Sequence, residues 1–375
     1  MMMMNNPTML SYIRREQPVL NQVLAAYPEQ IGGALAQAPR DSHHWLILTT
    51  ASSLNAAKSA RLYMQHIADI QVDIKDAEHY ANYGHVNPAI DTVVAISLSG
   101  EDPDTLAALK KAQAGTHAYT IAMTSQPESP LTSLTDATVD ILTGKETIPY
   151  ITLSYSAIML SLMFLGLRSA TDRELITTLA ANQELDEFGL LIEHINETIQ
   201  RSNDYYRKFT IDFGLAEQFT AIGPSVVAGT LAEMQTKFTE IVRVPTNGYT
   251  VADFTHGAYL GAHETHRQFY IELNTLPQVM RKQQAIKDFE SNVTPHIYTI
   301  SFTGDTPTIN DEQTLQLHQV DDVLKAPLLA IIPFQVLAWF IAKAKGINLS
   351  HPIFAKFQDV MDEADQPLTT DTTTE

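Results

Sequence analysis

A chain of 375 residues is long enough to bury more than one core, so two domains are expected. Hydrophobic residues make up 45 % of it and charged residues 18 %, a globular composition with little sign of disorder. Its 43 acidic and 24 basic residues give a net charge of −19, which argues against nucleic acid and membrane as partners and would repel an anionic substrate at long range. A phosphate site in such a chain has to be built locally, from backbone N–H groups and hydroxyls. The absence of cysteine excludes disulfides, thiolate metal sites and cysteine nucleophiles, and fits a reducing, cytoplasmic setting. The opening MMMMNNPTMLSYIRREQ has no basic segment followed by an apolar core, so no signal peptide is expected.

Residues 9 to 38 read as helix, with apolar positions at Leu10, Ile13, Leu20, Val23 and Leu24. WLILTT (45–50) is a short buried strand that runs into the amphipathic helix ASSLNAAKSARLYMQHIA. IQVDIKDAEHY (70–80) alternates as a second strand, and DTVVAISLSG (91–100) is a third, followed by the helix DPDTLAALKKAQ. HAYTIAMTS and TVDILTG are the fourth and fifth strands, and YITLSYSAIMLSLMFLGL is a long apolar helix. Residues 171 to 210 read as a more polar helical connector. The pattern then restarts with the strand FTAIG (219–223), a turn and helix in PSVVAGTLAEMQTKFTEI, and the strands QFYIEL and PHIYTISFTG. The run APLLAIIPFQVLAWFIA (326–342) carries two prolines and a glutamine and is too short to span a bilayer, so it is expected as a buried helix. A shift of 172 residues pairs Ser53 with Ser225, Ala56 with Ala228 and Val72 with Val244, and the shared strand–turn–helix–strand order marks an internal repeat. Strands alternating with helices predict α/β parallel sheets covered on both faces. The tail after Phe357 is expected to be mobile.

Ligands of open α/β sheets bind beyond the carboxyl ends of the strands. Two such ends carry hydroxyl clusters: TTASSLNAA, with Thr49, Thr50, Ser52 and Ser53, and ISLSGED, with Ser97 and Ser99. Each precedes a helix, whose N-terminus offers unpaired N–H groups and a positive dipole end. The serines could instead cap those helices. Neither cluster contains G-x-G-x-x-G or G-x-x-x-x-G-K, so a small phosphorylated ligand fits better than a nucleotide.

TTASSLNAAKSARLYMQ and ISLSGEDPDTLAALKKA resemble the two phosphosugar-binding loops of the sugar isomerase (SIS) fold. They are similar to those of the isomerase half of glucosamine-6-phosphate synthase and its fructosamine-6-phosphate deglycase relatives. The resemblance covers most of the chain, since those proteins carry two SIS domains in tandem, and its most specific part is S-x-S-G-E-x-x-D-T-L from Ser97 to Leu106. It implies two flavodoxin-like domains, over residues 31–170 and 211–345, with an N-terminal helix (1–30), the connector (171–210) and a tail (346–375). It implies that Ala51, Ser52, Ser53, Ser97, Ser99 and Asp102 surround the sugar phosphate. Leu98 and Asp102 depart from an amide and a threonine in the synthase type, and an acidic Asp102 repels a phosphate unless it is turned away. The glutaminase half is not represented, since its nucleophile is a cysteine.

KFTEIVRVPTNGYTVADFTHGAY resembles the family segment that holds its catalytic glutamate and histidine, sixteen residues apart as Glu240 and His256 are. The resemblance implies ring opening by His256 and proton transfer between C1 and C2 by Glu240. The chemistry suits the residue types: a carboxylate shuttles a proton alpha to a carbonyl, and imidazole moves protons near neutrality. Ala252 and Ala258 replace the family's usual Gly and Pro. Lys237 matches a lysine that tunes the glutamate, Lys356 a C-terminal lysine able to form a Schiff base, and Leu153 stands near a lysine that is missing. HETH (263–266) has the wrong spacing for a zinc helix, and no metal or other cofactor is expected. His43 and His44 are expected at the surface. The resulting expectation is a phosphosugar isomerase or a fructosamine-6-phosphate deglycase. A sensor of sugar phosphates without catalysis is a third reading. A homodimer is expected, its sites completed across the interface by the histidine loop.

Overall fold

The computed structural model describes residues 8–304, 312–349, 356–357 and 359–361. In the first half the elements are α1 (Met9–Ile13), α2 (Glu16–Ala25), α3 (Gly32–Leu35), β1 (His44–Thr49), α4 (Ala51–Ala68), β2 (Gln71–Asp76), α5 (Ala77–Tyr83), β3 (Thr92–Ile96), α6 (Pro103–Gly115), β4 (Tyr119–Thr124), β5 (Ala137–Asp140) and α7 (Leu153–Asp172). The connector is α8 (Thr178–Glu193), α9 (Ile195–Lys208) and α10 (Thr210–Leu215). The second half follows as β6 (Phe219–Gly223), α11 (Ala228–Lys237), β7 (Thr246–Thr250), α12 (Val251–Phe254), β8 (Arg267–Glu272), α13 (Pro277–Glu290), β9 (Ile297–Ser301), β10 (Thr314–Gln316) and α14 (Pro327–Ala344).

Each half holds one five-stranded sheet, ordered β2-β1-β3-β4-β5 and β10-β9-β8-β6-β7, with all neighbours parallel. Read from its other edge, the second order repeats the first. The repeat is therefore real, but its register differs from the 172-residue shift: β1 and β3 start at 44 and 92, β6 and β8 at 219 and 267, both 175 residues on. The three identities at 172 are coincidental.

Prolines explain why residues 9–38 are not one helix. Pro18 lacks the N–H that an interior position must donate, so it is tolerated only in a first turn, and α2 begins two residues before it. Pro28 likewise sits near the start of a π-turn at Tyr27–Ile31. The second strand stops at Asp76, short of residue 80, because that carboxylate caps α5 by accepting the His79 N–H at 3.0 Å. The sequence reading missed β7, α13 and β10. TNGYT has neither alternation nor an apolar run, while α13 is the crossover that the parallel pair β8–β9 requires.

α7 and α14 are apolar all round and form the core beside the interface between the two sheets. By length and composition both could cross a membrane, but 94 % and 83 % of their apolar windows are buried in the protein. α4 packs on α11 across the interface. At Gly229 a Cβ would stand 2.5 Å from the Ser59 amide nitrogen, so only glycine permits this approach. Asn55, near the start of α4, bonds Glu233 and Thr236 near the end of α11, so the two helices run antiparallel. The carboxyl edge of sheet 1 thus meets the C-terminal end of α11.

Candidate active site

β1 ends at Thr49, whose hydroxyl donates to the Ile96 carbonyl at 3.0 Å and ties β1 to β3. The chain enters α4 through Ala51 at φ 49°, a left-handed conformation that costs a non-glycine residue about 1–2 kcal/mol. Strain of this kind gathers at ligand sites. Ser52 and Ser53 do not cap α4: the cap position is Thr50, which makes no side-chain cap bond, and both serines lie buried inside the first turn. The first-turn N–H groups are thus left uncapped by side chains at a positive helix end.

The second turn is built differently. Ser97 Oγ accepts the Gly100 N–H at 3.1 Å, and Ser99 Oγ accepts the Glu101 N–H at 3.2 Å. Each hydroxyl keeps its own hydrogen to donate. Gly100 is at φ 67°, and a Cβ there would fall 2.0 Å from Ser129 Oγ. Asp102 caps α6, its Oδ2 accepting from the Thr105 N–H at 2.9 Å and hydroxyl at 2.5 Å. Its charge is thereby committed to its own helix. A cavity of about 280 Å³ opens beside this turn, lined by Leu98, Ser99 and Ser125, with Glu101, Glu128 and Glu146 against Lys145.

From the other sheet, α11 brings three charged residues on one helical face. Glu233 is fully buried and Lys237 is 1 % exposed, their groups 3.4 Å apart. Lys237 Nζ donates to Glu240 Oε2 at 2.9 Å, and Glu240 is 36 % exposed, on a π-turn (Phe238–Val242) that continues α11. Such irregular turns recur at functional sites. Burial raises the Glu233 carboxyl above its ordinary value, opposed by Lys237, Asn55 and Ser52. Burial opposes the Lys237 ammonium, but Glu233 and Glu240 outweigh it and hold its pKa above the usual lysine value. Lys237 is therefore a fixed cation behind Glu240. Glu233, Lys237 and Glu240 follow an i, i+4, i+7 spacing, a signal that could have found Glu233 in the sequence.

Glu146 was not singled out by sequence. It accepts the N–H groups of Thr152 at 3.1 Å and Ser154 at 2.6 Å at the start of α7, and burial raises its pKa. Tyr150 in the same loop donates to the Leu349 carbonyl at 3.2 Å, so the chain enters its C-terminal segment past this site. Lys356 lies seven residues further, exposed in a short helical stretch. Residues 350–355 and 362–375, and with them most of the tail read as mobile, lie outside the described residues, as do residues 1–7 of the opening segment.

Within one chain His256 is not brought to this group. Glu240 follows α11 at the amino edge of sheet 2, where the Phe238 ring meets Phe219 at the start of β6. His256 follows α12 at the carboxyl edge, where Phe254 packs on Tyr249 near the end of β7. The five residues of β7, about 16 Å, lie between them. His256 is exposed on its turn, its backbone N–H donating to Asp253.

The HETH histidines have structural partners. His266 is buried with Nε2 2.8 Å from Thr220 Oγ1, and burial pushes its pKa down to about 4; His263 stacks on it and contacts Gln218. His44, expected at the surface, is half-buried instead, 3.0 Å from Asp73, because it already belongs to β1. Among the described residues one carboxylate trio converges, Glu184, Glu187 and Asp322, and the Lys325 ammonium already sits among them.

Comparison with known proteins agrees with the fold. The SIS domain family matches residues 40–168. A glutamine–fructose-6-phosphate aminotransferase (isomerizing) from Chlamydia pneumoniae is 25 % identical over 358 residues, covering 92 % of this chain and 57 % of its own length. One from Nostoc sp. is 23 % identical, covering 82 % and 50 %. The chain thus spans about half the length of the curated relatives it matches. Among solved structures, a candidate phosphosugar isomerase from Clostridium difficile 630 superposes with a TM-score of 0.83 at 20 % identity, covering 95 % of this chain and 98 % of its own. The C-terminal domain of glucosamine-fructose-6-phosphate aminotransferase from Francisella tularensis gives 0.81 at 17 %, covering 92 % and 97 %.

Proposed function

We propose that this chain, a SIS-domain protein with the tandem SIS fold, is an isomerase that moves a proton between C1 and C2 of a ketose or amino-sugar 6-phosphate. One observation carries the reading: the uncapped start of α4, with Ser52 and Ser53, faces the end of α11, with Lys237 and Glu240, across the sheet interface. The first offers N–H and hydroxyl donors to a phosphate. The second offers a half-exposed carboxylate on a fixed cation. Ser97 and Ser99 add two more hydroxyl donors, while Asp102 is engaged as the cap of α6. The N–H groups at Ala51 and Ser52 would take the phosphate oxygens that the net charge of the chain would otherwise repel.

In the proposed cycle the substrate's phosphate rests on these donors, Glu240 removes the proton alpha to the carbonyl, and Lys237 stabilises the charge that develops on the neighbouring oxygen. A proton passes from the C1 hydroxyl to the C2 oxygen, and Glu240 returns its own proton to the adjacent carbon, which leaves the carbonyl at C1. Ring opening needs a second proton-transfer group, and His256 is its candidate. Its place at the far edge of sheet 2 supports a homodimer in which the partner's histidine loop completes the site. Mixing inactive E240Q and H256N chains and letting subunits exchange should restore about a quarter of wild-type turnover; no recovery would place both groups in one chain. Lys356 enters as the amine that holds the open-chain keto sugar, a role supported by Leu349, the last residue described before it, whose carbonyl accepts from Tyr150.

A second reading, release of an amine from a fructosamine 6-phosphate, is supported by Glu101, Glu128 and Glu146 around the cavity, which suit an ammonium-bearing substrate. Incubating the protein with fructose 6-phosphate, glucosamine 6-phosphate and fructosyl-amino-acid 6-phosphates decides among the readings. Sugar interconversion without amine selects the isomerase. Amine release selects the deglycase. Silence, with thermal stabilisation by one sugar phosphate, selects a sensor.

A further inference from the structure

At the opposite end of sheet 1 from the serine turns lies a separate cavity of about 280 Å³, between the segment joining α3 to β1 and the last turn of α7. Its wall carries Arg40, Arg168 and Arg173 and one carboxylate, Asp172. Three guanidinium groups against one carboxylate leave two positive charges in a chain whose net charge is −19. Helix ends ordinarily attract arginine, which satisfies the last carbonyls. Arg173 does so: its Nη1 donates to the Ala68 carbonyl at 2.5 Å, and its Nη2 lies 2.9 Å from His43 Nδ1.

That role does not account for the others. Arg168 uses only its Nε, which lies 2.8 Å from both Asp172 oxygens, and its two Nη groups make no hydrogen bond among the described residues. Arg40 is exposed and makes no ion pair or hydrogen bond among them. Trp45, on the same wall, is 1 % exposed, and its indole N–H is buried without a partner. A buried donor left unmade costs about 1–3 kcal/mol. The Ser169 hydroxyl, also on the wall, makes no hydrogen bond among the described residues either. Four side chains thus hold unused donors beside Arg173, with the one carboxylate already occupied.

We propose that this cavity binds a small phosphorylated metabolite through its phosphate dianion, at a site separate from the proposed reaction centre. The two surplus charges match a phosphate monoester rather than a single carboxylate. Guanidinium forks suit its oxygens in pairs, and the indole N–H and serine hydroxyl supply neutral donors. The C-terminal dipole of α7 opposes an anion, which explains why the charge is supplied by several arginines. β1 joins the two sites: Trp45 is the second residue of this six-residue strand and Thr49 its last, about 13 Å along it.

The chain has two tryptophans, Trp45 and Trp339, so their indole N–H signals are separable by NMR, with W45F to assign them. The full chain carrying S97A and S99A, which weaken the proposed reaction site, is titrated with inorganic phosphate and with fructose 6-phosphate against chloride and citrate at matched ionic strength. The expected result is a saturable shift of the Trp45 signal with both phosphates, a still Trp339 signal, and binding about tenfold weaker in R40Q and in R168Q. Because Arg40 is exposed and makes no ion pair or hydrogen bond among the described residues, R40Q is expected to fold as the wild type does, so a loss of binding there is not a loss of folding. A Trp45 signal that stays fixed at saturating phosphate, an affinity unchanged in R40Q, or an equal response to citrate each overturns the proposal. Loss of all phosphate binding in the serine variant alone does so too, whereas failure of the isomerase reading leaves this outcome untouched.

Discussion

The carboxyl edges of the two sheets are the instructive pair. Both follow the same strand order, and both are reached by a helix from the other half. At sheet 1 the strand β1 leads directly into α4, the first-turn donors stay uncapped, and the buried Lys237 stands behind the half-exposed Glu240. At sheet 2 Pro224 and a 3₁₀ turn (Ser225–Val227) separate β6 from α11, and Glu272 is paired with Lys287 at 2.6 Å. The charges are inverted as well. Before α7 stands the acid Glu146; before α14 stands Lys325, ringed by Glu184, Glu187 and Asp322. The connector helix α8 supplies two of those acids, and Tyr63 from α4 donates to Glu184 at 2.7 Å. Duplication preserves the frame while the charged groups differ: the connector rings Lys325 with acids, and a cavity of about 440 Å³, lined by Pro224, Glu272, Asn274 and Thr303, opens at the sheet 2 edge as well.

The sharpest way to break the contrast is Glu240→Gln. The side chain is part-exposed, so folding should be unaffected. Turnover on the substrate found in the panel should fall about 10²–10⁴-fold with sugar-phosphate binding retained. Turnover near wild type would remove Glu240 from the proton transfer. Next comes Lys237→Met, which leaves Glu233 buried without its cation. Breaking a buried pair costs about 3–5 kcal/mol, read as a lower denaturation midpoint. The companion Glu233→Gln/Lys237→Met should recover much of that loss without recovering activity.

A third test uses pH. The folded His266 titrates at about 4 against an ordinary value of 6.5, so the unfolded chain binds a proton that the folded one refuses. Its contribution is whole above about 6.5, declines as pH falls toward 4, and is flat below; at about 1.4 kcal/mol per unit the loss is about 3 kcal/mol. Denaturant titrations between pH 7 and 4 should show His266→Gln removing that part of the slope. An unchanged slope would locate the acid sensitivity elsewhere.

What the sequence could tell follows the same division. Strand and helix order in the first half was readable because β1, β3 and β4 are continuous apolar runs and their helices are amphipathic. In the second half β7 carries Asn, Gly and Thr at a sheet edge and gives no periodic signal. The serines, Lys237 and Glu240 were legible as spaced motifs, and the i, i+4, i+7 spacing carried Glu233 as well, but Asn55 and Glu146 had no such signal. Asn55 gains its meaning from a contact 178 residues away in the chain, to Glu233, that no local pattern announces. Nor could spacing alone reveal that Glu240 and His256, sixteen residues apart, lie at opposite edges of one sheet, because a strand stands between them.

Ser97→Ala and Ser99→Ala each remove one neutral hydroxyl donor from the proposed phosphate site. About 1 kcal/mol apiece is expected, a several-fold rise in KM with kcat little changed, since the phosphate is held alike in ground and transition states. A fall in kcat alone would instead tie these hydroxyls to the reacting atoms.

The smallest effect is expected at Lys325, the lysine of the second copy. Lys325 is as buried as Lys237, yet its acids are not: Glu184, Glu187 and Asp322 are 23 %, 54 % and 35 % exposed. Removing the ammonium with Lys325→Met leaves them facing one another, but water reaches all three and screens the repulsion. The new methyl and thioether can still pack on Tyr63 and Phe188, whose rings lie 5.9 and 5.2 Å from the ammonium. A loss of about 1–2 kcal/mol is therefore expected, roughly half that of Lys237→Met or less, with turnover unchanged. If the two lysines proved equally costly, solvent access would not be what separates the edges. If Lys325→Met also abolished turnover, the second edge would have to be part of the machinery rather than its idle duplicate.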